Sequence, residues 1–541
     1  MGCERDDKLS RRRFLRAAAG LAGLPLVGGG LGMLAGCSRG RSIEEMARQL
    51  VVGIPRDIRT FDPALAVMAL DGAINANIHD TLATWDRKTL KLVPKLATSW
   101  DTPDNGKTWT FHLRKGVKFQ DGTDFNASAC KFHFDRIMDP KTKSNRVTRT
   151  KFIDYLEVVD EQTFRFHMKR PFSVWPEMMA DAWTGFVSPA QVQKMGSDDY
   201  KSHPVGTGAF KFVKRERDQY IILERNPNYW RPDWIKFEEL VFKVVPEPTT
   251  RLFLLEQGLI DITDISWAHV DAAKQGKGII VDTVPLLAIR YVGLNNMKPP
   301  FDDVRVRRAA NYAINREAIC KYAFRDNIMP AYGPLPAALP MYNKNIEKYV
   351  YNPDKAKALL REAGHTKPVK VVLWATDSSD DKTLAEVVRE DLRAAGFDLE
   401  VLQFDRTVYW SKFDPYQTND GQWFPTREGC FDMFIGGWVG GESAHGFLDP
   451  LFRSSSSSNS AFYKNPEVDR LVEAYQAISD EAEQQKIYDK LQEVIVSDAP
   501  WIFTYSNKVI KGINKRVANY QAHPADEFEY DGVTISAQGK V

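Results

Sequence analysis

Apolar and polar residues alternate along two stretches early in the chain. Trp109, Phe111 and Leu113 fall on one strand face, Gly116 marks a turn, and Val117 and Phe119 resume the alternation before the turn dipeptide Asp121-Gly122. This pattern predicts a β-hairpin. Phe164, Phe166 and Met168 alternate again after a turn at Asp160, so the region from about Leu82 to Phe172 is expected to be a small antiparallel sheet with a helix between its strands. It reads as a separate lobe.

In the second half the period changes. Asn352-Pro353 supplies an N-cap and a first helical residue, Ala356, Leu359, Leu360 and Ala363 share one face, and Gly364 is the left-handed stop. Val369, Val371 and Leu373 then predict a strand, Leu384, Val387, Val388 and Leu392 a helix ending at Gly396, and Phe397, Leu399 and Val401 a further strand. Asn465-Pro466 opens another helix through Val468, Leu471, Val472 and Tyr475, and Ile487, Leu491, Val494 and Ile495 continue the helical spacing. Such alternation implies a sheet covered by helices, an α/β lobe. No internal repeat accompanies it.

Composition narrows the class. The chain has 541 residues, 43% hydrophobic and 27% charged, with 73 basic against 71 acidic side chains, an ordinary globular balance. At roughly 150 residues per domain that length suggests three or four units. Near-neutral charge argues against nucleic acid as a partner. Five cysteines are too few for a disulfide scaffold.

The N-terminus carries an address. Arg11 and Arg12 lie in Ser10-Arg11-Arg12-Arg13-Phe14-Leu15-Arg16, ahead of an uncharged stretch from Ala17 to Gly36 that ends in Leu34-Ala35-Gly36-Cys37. Seven glycines and Pro25 weaken that stretch as a membrane helix, each internal Gly by about 1 kcal/mol relative to Ala, so it reads as an export signal. Paired arginines before a weakly apolar core resemble the twin-arginine signal. Leu-Ala-Gly-Cys resembles a bacterial lipobox, in which Cys37 would carry acyl chains and tether the protein outside the cytoplasmic membrane; an ordinary cleavage site with a chance Cys is the other reading. Removal of residues 1–36 takes six basic and three acidic side chains, turning +2 into −1. Cys130, Cys320 and Cys430 remain, so at least one is unpaired within the chain.

Longer motifs then resemble a known family, the large extracellular solute-binding proteins of ABC importers of the oligopeptide, dipeptide and nickel type (family 5). The resemblance rests on Leu92 to Trp100, on Asp104 to Gly122, on Pro204-Val205-Gly206-Thr207-Gly208-Ala209-Phe210, on Arg225 to Trp230, on Val304 to Ile314 and on Asn352 to Gly364, in the family's order. It implies an α/β, two-lobed periplasmic-binding-protein-like clamp of the large three-domain variant (type II). The implied organisation is an export signal at 1–36, a tether at 37–48, a first-lobe core at 49–81, 203–294 and 506–541, an insertion domain at 82–202 and a second lobe at 295–505. Hinges are expected near Tyr291 to Asn296 and Thr504 to Lys508. The implied partners are a peptide or other small solute and a membrane permease, with the mature protein a monomer.

In peptide-binding members a Gly-Trp pair is followed, three residues after the Trp, by an Asp that pairs with the solute's ammonium. Here the segment is Gly437-Trp438-Val439-Gly440-Gly441-Glu442-Ser443-Ala444-His445, and Gly441 stands at that place. Unless Glu442 takes over, a buried ammonium would lack its counter-charge. The spacing from Trp438 to Phe447 is nearer the nickel-chelate branch, so a nickel chelate or other non-peptide solute is the alternative to a peptide. Trp438 either stacks on solute or fills the core, and Trp410, Tyr416 and Trp423 either line the cleft or pack inside. Tyr291, Gly437, Gly440, Gly441, Glu442 and His445 complete the candidate binding set. Glu442, His445 and Asp449 do not match a standard metal-ligand spacing, so no metal is assigned. The sequence holds no G-x-S-x-G, H-E-x-x-H or phosphate-binding Gly loop, so a binding protein without cofactor is expected and a secreted enzyme is the weaker reading.

Overall fold

One strand of 14 residues, Trp501–Asn514, ties the molecule together. The computed structural model describes residues 41–413, 416–417, 423–424, 431–526 and 528–537. Along its first half the long strand pairs with Ala288–Leu294, and along its second half with Ile279–Pro285, both antiparallel. These two partners succeed one another with a break at Leu286 and Leu287, where Leu286 N donates to Asn507 O at 2.9 Å. The partner change on the long strand falls within the expected hinge at Thr504 to Lys508, but on the other strand it precedes Tyr291–Asn296. Tyr291 itself is in the interior of Ala288–Leu294.

Around this ribbon runs a 12-stranded sheet. On one side of the long strand come Ile262–Asp264, Gln49–Ile54, Glu239–Val244, Tyr220–Arg225 and Phe210–Glu216, whose apolar faces share a cluster with Phe61, Tyr229 and Tyr530. On the other come Ala288–Leu294, Met433–Val439, Val369–Thr376 and Phe397–Phe404. The last two pair parallel through the helix Ser379–Ala394, the βαβ unit that the periodicity predicts. Asn352 caps Pro353–Glu362 by accepting from Lys355 N, and Gly364 and Gly396 follow with φ of +91° and +101°, as glycine stops must.

Residues 97–168 hold a four-stranded antiparallel sheet, in the order Ala97–Asp101, Thr108–Leu113, Thr163–Met168, Ile153–Asp160, with helix Ala127–Met138 against it. The hairpin expected from Trp109 to Phe119 does not form. Val117 and Phe119 form no second arm, because both edges of Thr108–Leu113 are taken by the strands before and after it. Instead residues 117–125 make a tight loop with a single bridge between Lys118 and Asp124, burying Val117 and Phe119. Gln120 clasps the neighbouring backbone through Ile78 O and Phe210 O.

The core of this sheet does not stay separate. Through Phe172, Val174, Trp175 and Met179, all fully buried, it merges with the apolar cluster of the C-terminal half. At about 25 cal/mol per Å² and 150–250 Å² per aromatic ring, burying Phe172 and Trp175 contributes on the order of several kcal/mol each to the folded state.

Candidate functional site

The site is built on the strand Met433–Val439, which pairs with Ala288–Leu294 along its whole length. Its other edge pairs with Val369–Thr376 only at Met433 and Phe434. From Ile435 onward that edge meets no strand among the described residues; the hydroxyl of Tyr409 donates to Ile435 O at 2.6 Å. Two glycines follow because side chains from the neighbouring strand fill the space. A Cβ on Gly436 would lie 2.5 Å from the Tyr291 ring, and one on Gly437 2.6 Å from the Arg290 guanidinium.

Both neighbours are locked. Tyr291 is buried against Trp501, and burial raises its hydroxyl above the ordinary range. Arg290 pairs with Asp381, whose carboxylate also accepts from Thr376 N at 3.1 Å and Thr376 Oγ1 at 2.6 Å. Burial works against the Arg290 charge, but Tyr505 and Asp381 outweigh it and hold the pKa above its usual value. Tyr291 thus sits in the core below the glycines.

Beyond the strand the chain turns sharply. Trp438 is half-buried, its indole Nε1 donating to Gly446 O at 2.7 Å, so the ring is pinned to its own loop. Gly440 leaves room for the Phe447 ring, 2.4 Å from where its Cβ would be. Gly441 has φ of +70° and nothing within 4 Å of its Cβ position, so it faces open space.

Glu442 does not share that direction. It is 5% exposed, with Oε1 3.9 Å from Nδ1 of His523, a residue of the C-terminal tail. Burial lowers the His523 pKa, which keeps that ring neutral near pH 7. His445 turns elsewhere, its Nδ1 2.8 Å from the Tyr475 hydroxyl and its ring edge-on to Phe172; burial lowers its pKa as well. Asp449 accepts from Arg453 and Gln476. The three side chains diverge. Among the described residues no group of three His, Cys, Asp or Glu side chains is placed to hold a metal.

Trp410 is 43% exposed on the helix Arg406–Ser411, edge-on to Tyr409. Trp423 and Tyr416 fall in strands whose side chains lie outside the described set, as do Arg11, Arg12, Cys37 and Cys430. Cys130 and Cys320 are free and buried.

Sequence reasoning missed three contributors: Arg290, Asp381 and Glu177. Glu177, on the short helix Trp175–Met178, accepts a hydrogen bond from the Ser443 hydroxyl in the loop after the glycine strand. A signal for it was present, since Glu177 is the only charged residue between Phe172 and Ala180.

Comparison with known proteins follows the same lines. The profile of the bacterial extracellular solute-binding proteins, family 5 Middle, matches residues 91–459. A glutathione-binding protein GsiB of Escherichia coli O1:K1 / APEC is 30% identical over 496 residues, covering 90% of this chain and 95% of that protein. Its namesake from Pectobacterium atrosepticum is 29% identical over 497 residues, covering 91% and 95%. Among solved structures, the periplasmic binding protein DppA from Helicobacter pylori, in complex with peptide STSA, superposes with a TM-score of 0.76 at 26% identity over 92% of this chain and 100% of that one.

Proposed function

The chain belongs to the bacterial extracellular solute-binding proteins of family 5, a two-lobed α/β fold, and from that premise we propose that it captures a small peptide or peptide-like solute between its lobes and delivers it to an ABC permease. The observation that carries this reading is the edge of the strand from Gly436 to Val439, which no strand among the described residues pairs. An extended peptide recognises such an edge through its main chain, with Gly436 and Gly437 holding the strand close over Tyr291 and Arg290. The glutathione-binding relatives and the peptide complex of the Helicobacter pylori protein support the same class of solute. Gly441 brings no carboxylate, so selection would rest on main-chain and aromatic contacts.

In this reading the lobes are those expected above, with Trp438 and Trp410 lining the solute. Arg11 and Arg12 direct export by the twin-arginine route and Cys37 carries the lipid anchor. No helix of the described residues is long and apolar enough to cross a membrane.

The test is thermal unfolding and calorimetry of residues 38–541 with glutathione, the tetrapeptide Ser-Thr-Ser-Ala and a nickel–histidine chelate. A solute at 100 times its Kd adds about 2.7 kcal/mol, a rise of a few degrees for a chain of this size. Saturable binding of glutathione or the peptide without turnover is expected. Binding of the chelate alone would overturn the peptide reading, and hydrolysis of a bound peptide would overturn the binding-only reading. Cys37→Ser should move the protein from membrane to soluble fractions; retention on the membrane would refute the anchor.

A further inference from the structure

The segment Arg170 to Met178 reaches from the four-stranded sheet to the helices of the C-terminal half. Ser173 N donates to Gln476 O at 2.7 Å and its hydroxyl to Tyr475 O at 2.9 Å. Arg170 donates to Gln476 Oε1 at 2.6 Å, and Gln484 Nε2 to the Ser173 hydroxyl at 3.1 Å. Glu177 completes this seam by accepting from Ser443, two residues past Gly441.

Among these contacts Glu177 is the one with a charge to lose. It makes no ion pair among the described residues, and the groups facing it are the wrong ones for a carboxylate. Ser443 is its hydrogen-bond donor. His445, from the same loop, is kept neutral by burial and bonded to Tyr475. Tyr488, from the helix Glu481–Asp498, is buried with a hydroxyl lacking a hydrogen-bond partner, and burial followed by the Glu177 charge raises its pKa well above the ordinary range. The charged groups that act on Glu177 are acids: Asp181, already bound by Arg149 at 2.8 Å and by the Trp183 indole at 3.0 Å, and Glu481 at the start of that helix. Arg170 is held by Gln476 and lies over Phe152 and Phe172.

We propose that Glu177 is a positioning residue for solute capture, a latch that holds the inserted sheet against the second lobe in its neutral form, so that closing the seam takes up a proton. The proposal rests on the clamp reading above, and its contact is the Ser443–Glu177 hydrogen bond. Burial, reinforced by Asp181 and Glu481 and opposed by Ser443, pushes the Glu177 carboxyl up to about 7. In an open form it would be solvated and titrate near the ordinary Glu value of about 4.3. The sign follows: the seam is tightest at low pH and weakens as pH rises toward neutrality and through the raised value.

The experiment measures the distance between spin labels on Val158→Cys and Leu402→Cys, exposed positions on the two sides of the seam, in residues 38–541 carrying Cys430→Ser and no added solute. Between pH 5.5 and 8 the closing equilibrium of the wild-type seam should fall by about tenfold or more, since each unit of differential titration is a factor of ten. Glu177→Gln, a neutral isostere, should hold the short distance across that range. Ser443→Ala should lengthen the distance at every pH while circular dichroism stays unchanged. A wild-type distance that ignores pH, or a Glu177→Gln profile that follows the wild type, would overturn the latch. Failure of every solute to bind would count against the clamp function alone.

Discussion

Tyr291 lies flat on Trp501, ring centroids 3.5 Å apart and planes 4° from parallel, at the centre of the ribbon that joins the two halves of the sheet. Phe452 closes over the other partner, its ring 4.4 Å from Trp501. A stacked, enclosed Tyr291 cannot retreat, and this is why the strand beside it must be glycine at 436. Replacing Gly436 by Ala places a methyl 2.5 Å from the ring. Overpacking of this kind costs typically 1–3 kcal/mol. Gly436→Ala should lower the unfolding free energy measured in urea by that much, and the accompanying displacement of the strand edge should weaken binding of glutathione or a peptide beyond the loss of stability.

Gly441 offers the opposite case, because a side chain there meets nothing. Gly441→Asp would adopt φ of +70°, a left-handed conformation costing roughly 1 kcal/mol, with Asp among the residues that tolerate it best. Its carboxylate would enter the open space beside Trp438. The expected outcome is a gain in preference for a free over an N-acetylated Ser-Thr-Ser-Ala peptide by about tenfold, the scale of one charge-assisted hydrogen bond. Paired calorimetric titrations of the two peptides measure it.

Local rules carried the reading of the fold a long way. Asn352, Gly364, Asn465 and Gly396 delimit helices by backbone chemistry that needs no tertiary partner, and the βαβ unit from Val369 to Phe404 followed from periodicity. Where partners decide, the sequence was silent. Val117 and Phe119 alternate as a strand does, but the edges they would need are taken by the strand just before, Ala97–Asp101, and by Thr163–Met168 from later in the chain. The structure stacks Tyr291 on Trp501 and turns Glu442 toward His523, placements that an apolar or acidic letter does not announce, because it does not say which way its side chain leaves the backbone. Phe172 packs edge-on to His445, a residue about 270 positions later that no local pattern points to.

Acid should act through two buried histidines. His79 and His133 are buried in the first half, with pKa values pushed down to about 4 and about 3, chiefly by burial. Unfolding returns each to about 6.5, so below that pH the unfolded chain binds more protons and stability falls as pH drops toward the folded values. At 1.36 kcal/mol per unit, about 3 kcal/mol for each is present at pH 7 and lost toward pH 4. Urea midpoints from pH 7.5 to 4.5 should fall for the wild type, and less steeply for His133→Phe, which suits a site lined by Phe134 and Phe186. An equal slope in the variant would show that other groups carry the dependence.

The last prediction concerns the tail that returns to the first strand. Arg516 and Asp261 are 1% and 0% exposed, and the guanidinium grips both carboxylate oxygens at 2.5 Å while also donating to Gln49 O at 2.8 Å. Asp261 accepts from Val51 N at 2.8 Å as well, so one pair fastens the tail, Gln49–Ile54 and Ile262–Asp264 together. Removing one partner of such a pair leaves a buried charge uncompensated, which costs about 3–5 kcal/mol, whereas the intact pair contributes far less. Arg516→Met should therefore destabilise by that larger amount in urea titrations at pH 7. Arg516→Lys keeps the charge but not the planar fork, and should recover only part of the loss. The double variant Arg516→Met with Asp261→Asn should be more stable than Arg516→Met alone; if it is not, the uncompensated carboxylate is not the source of the cost.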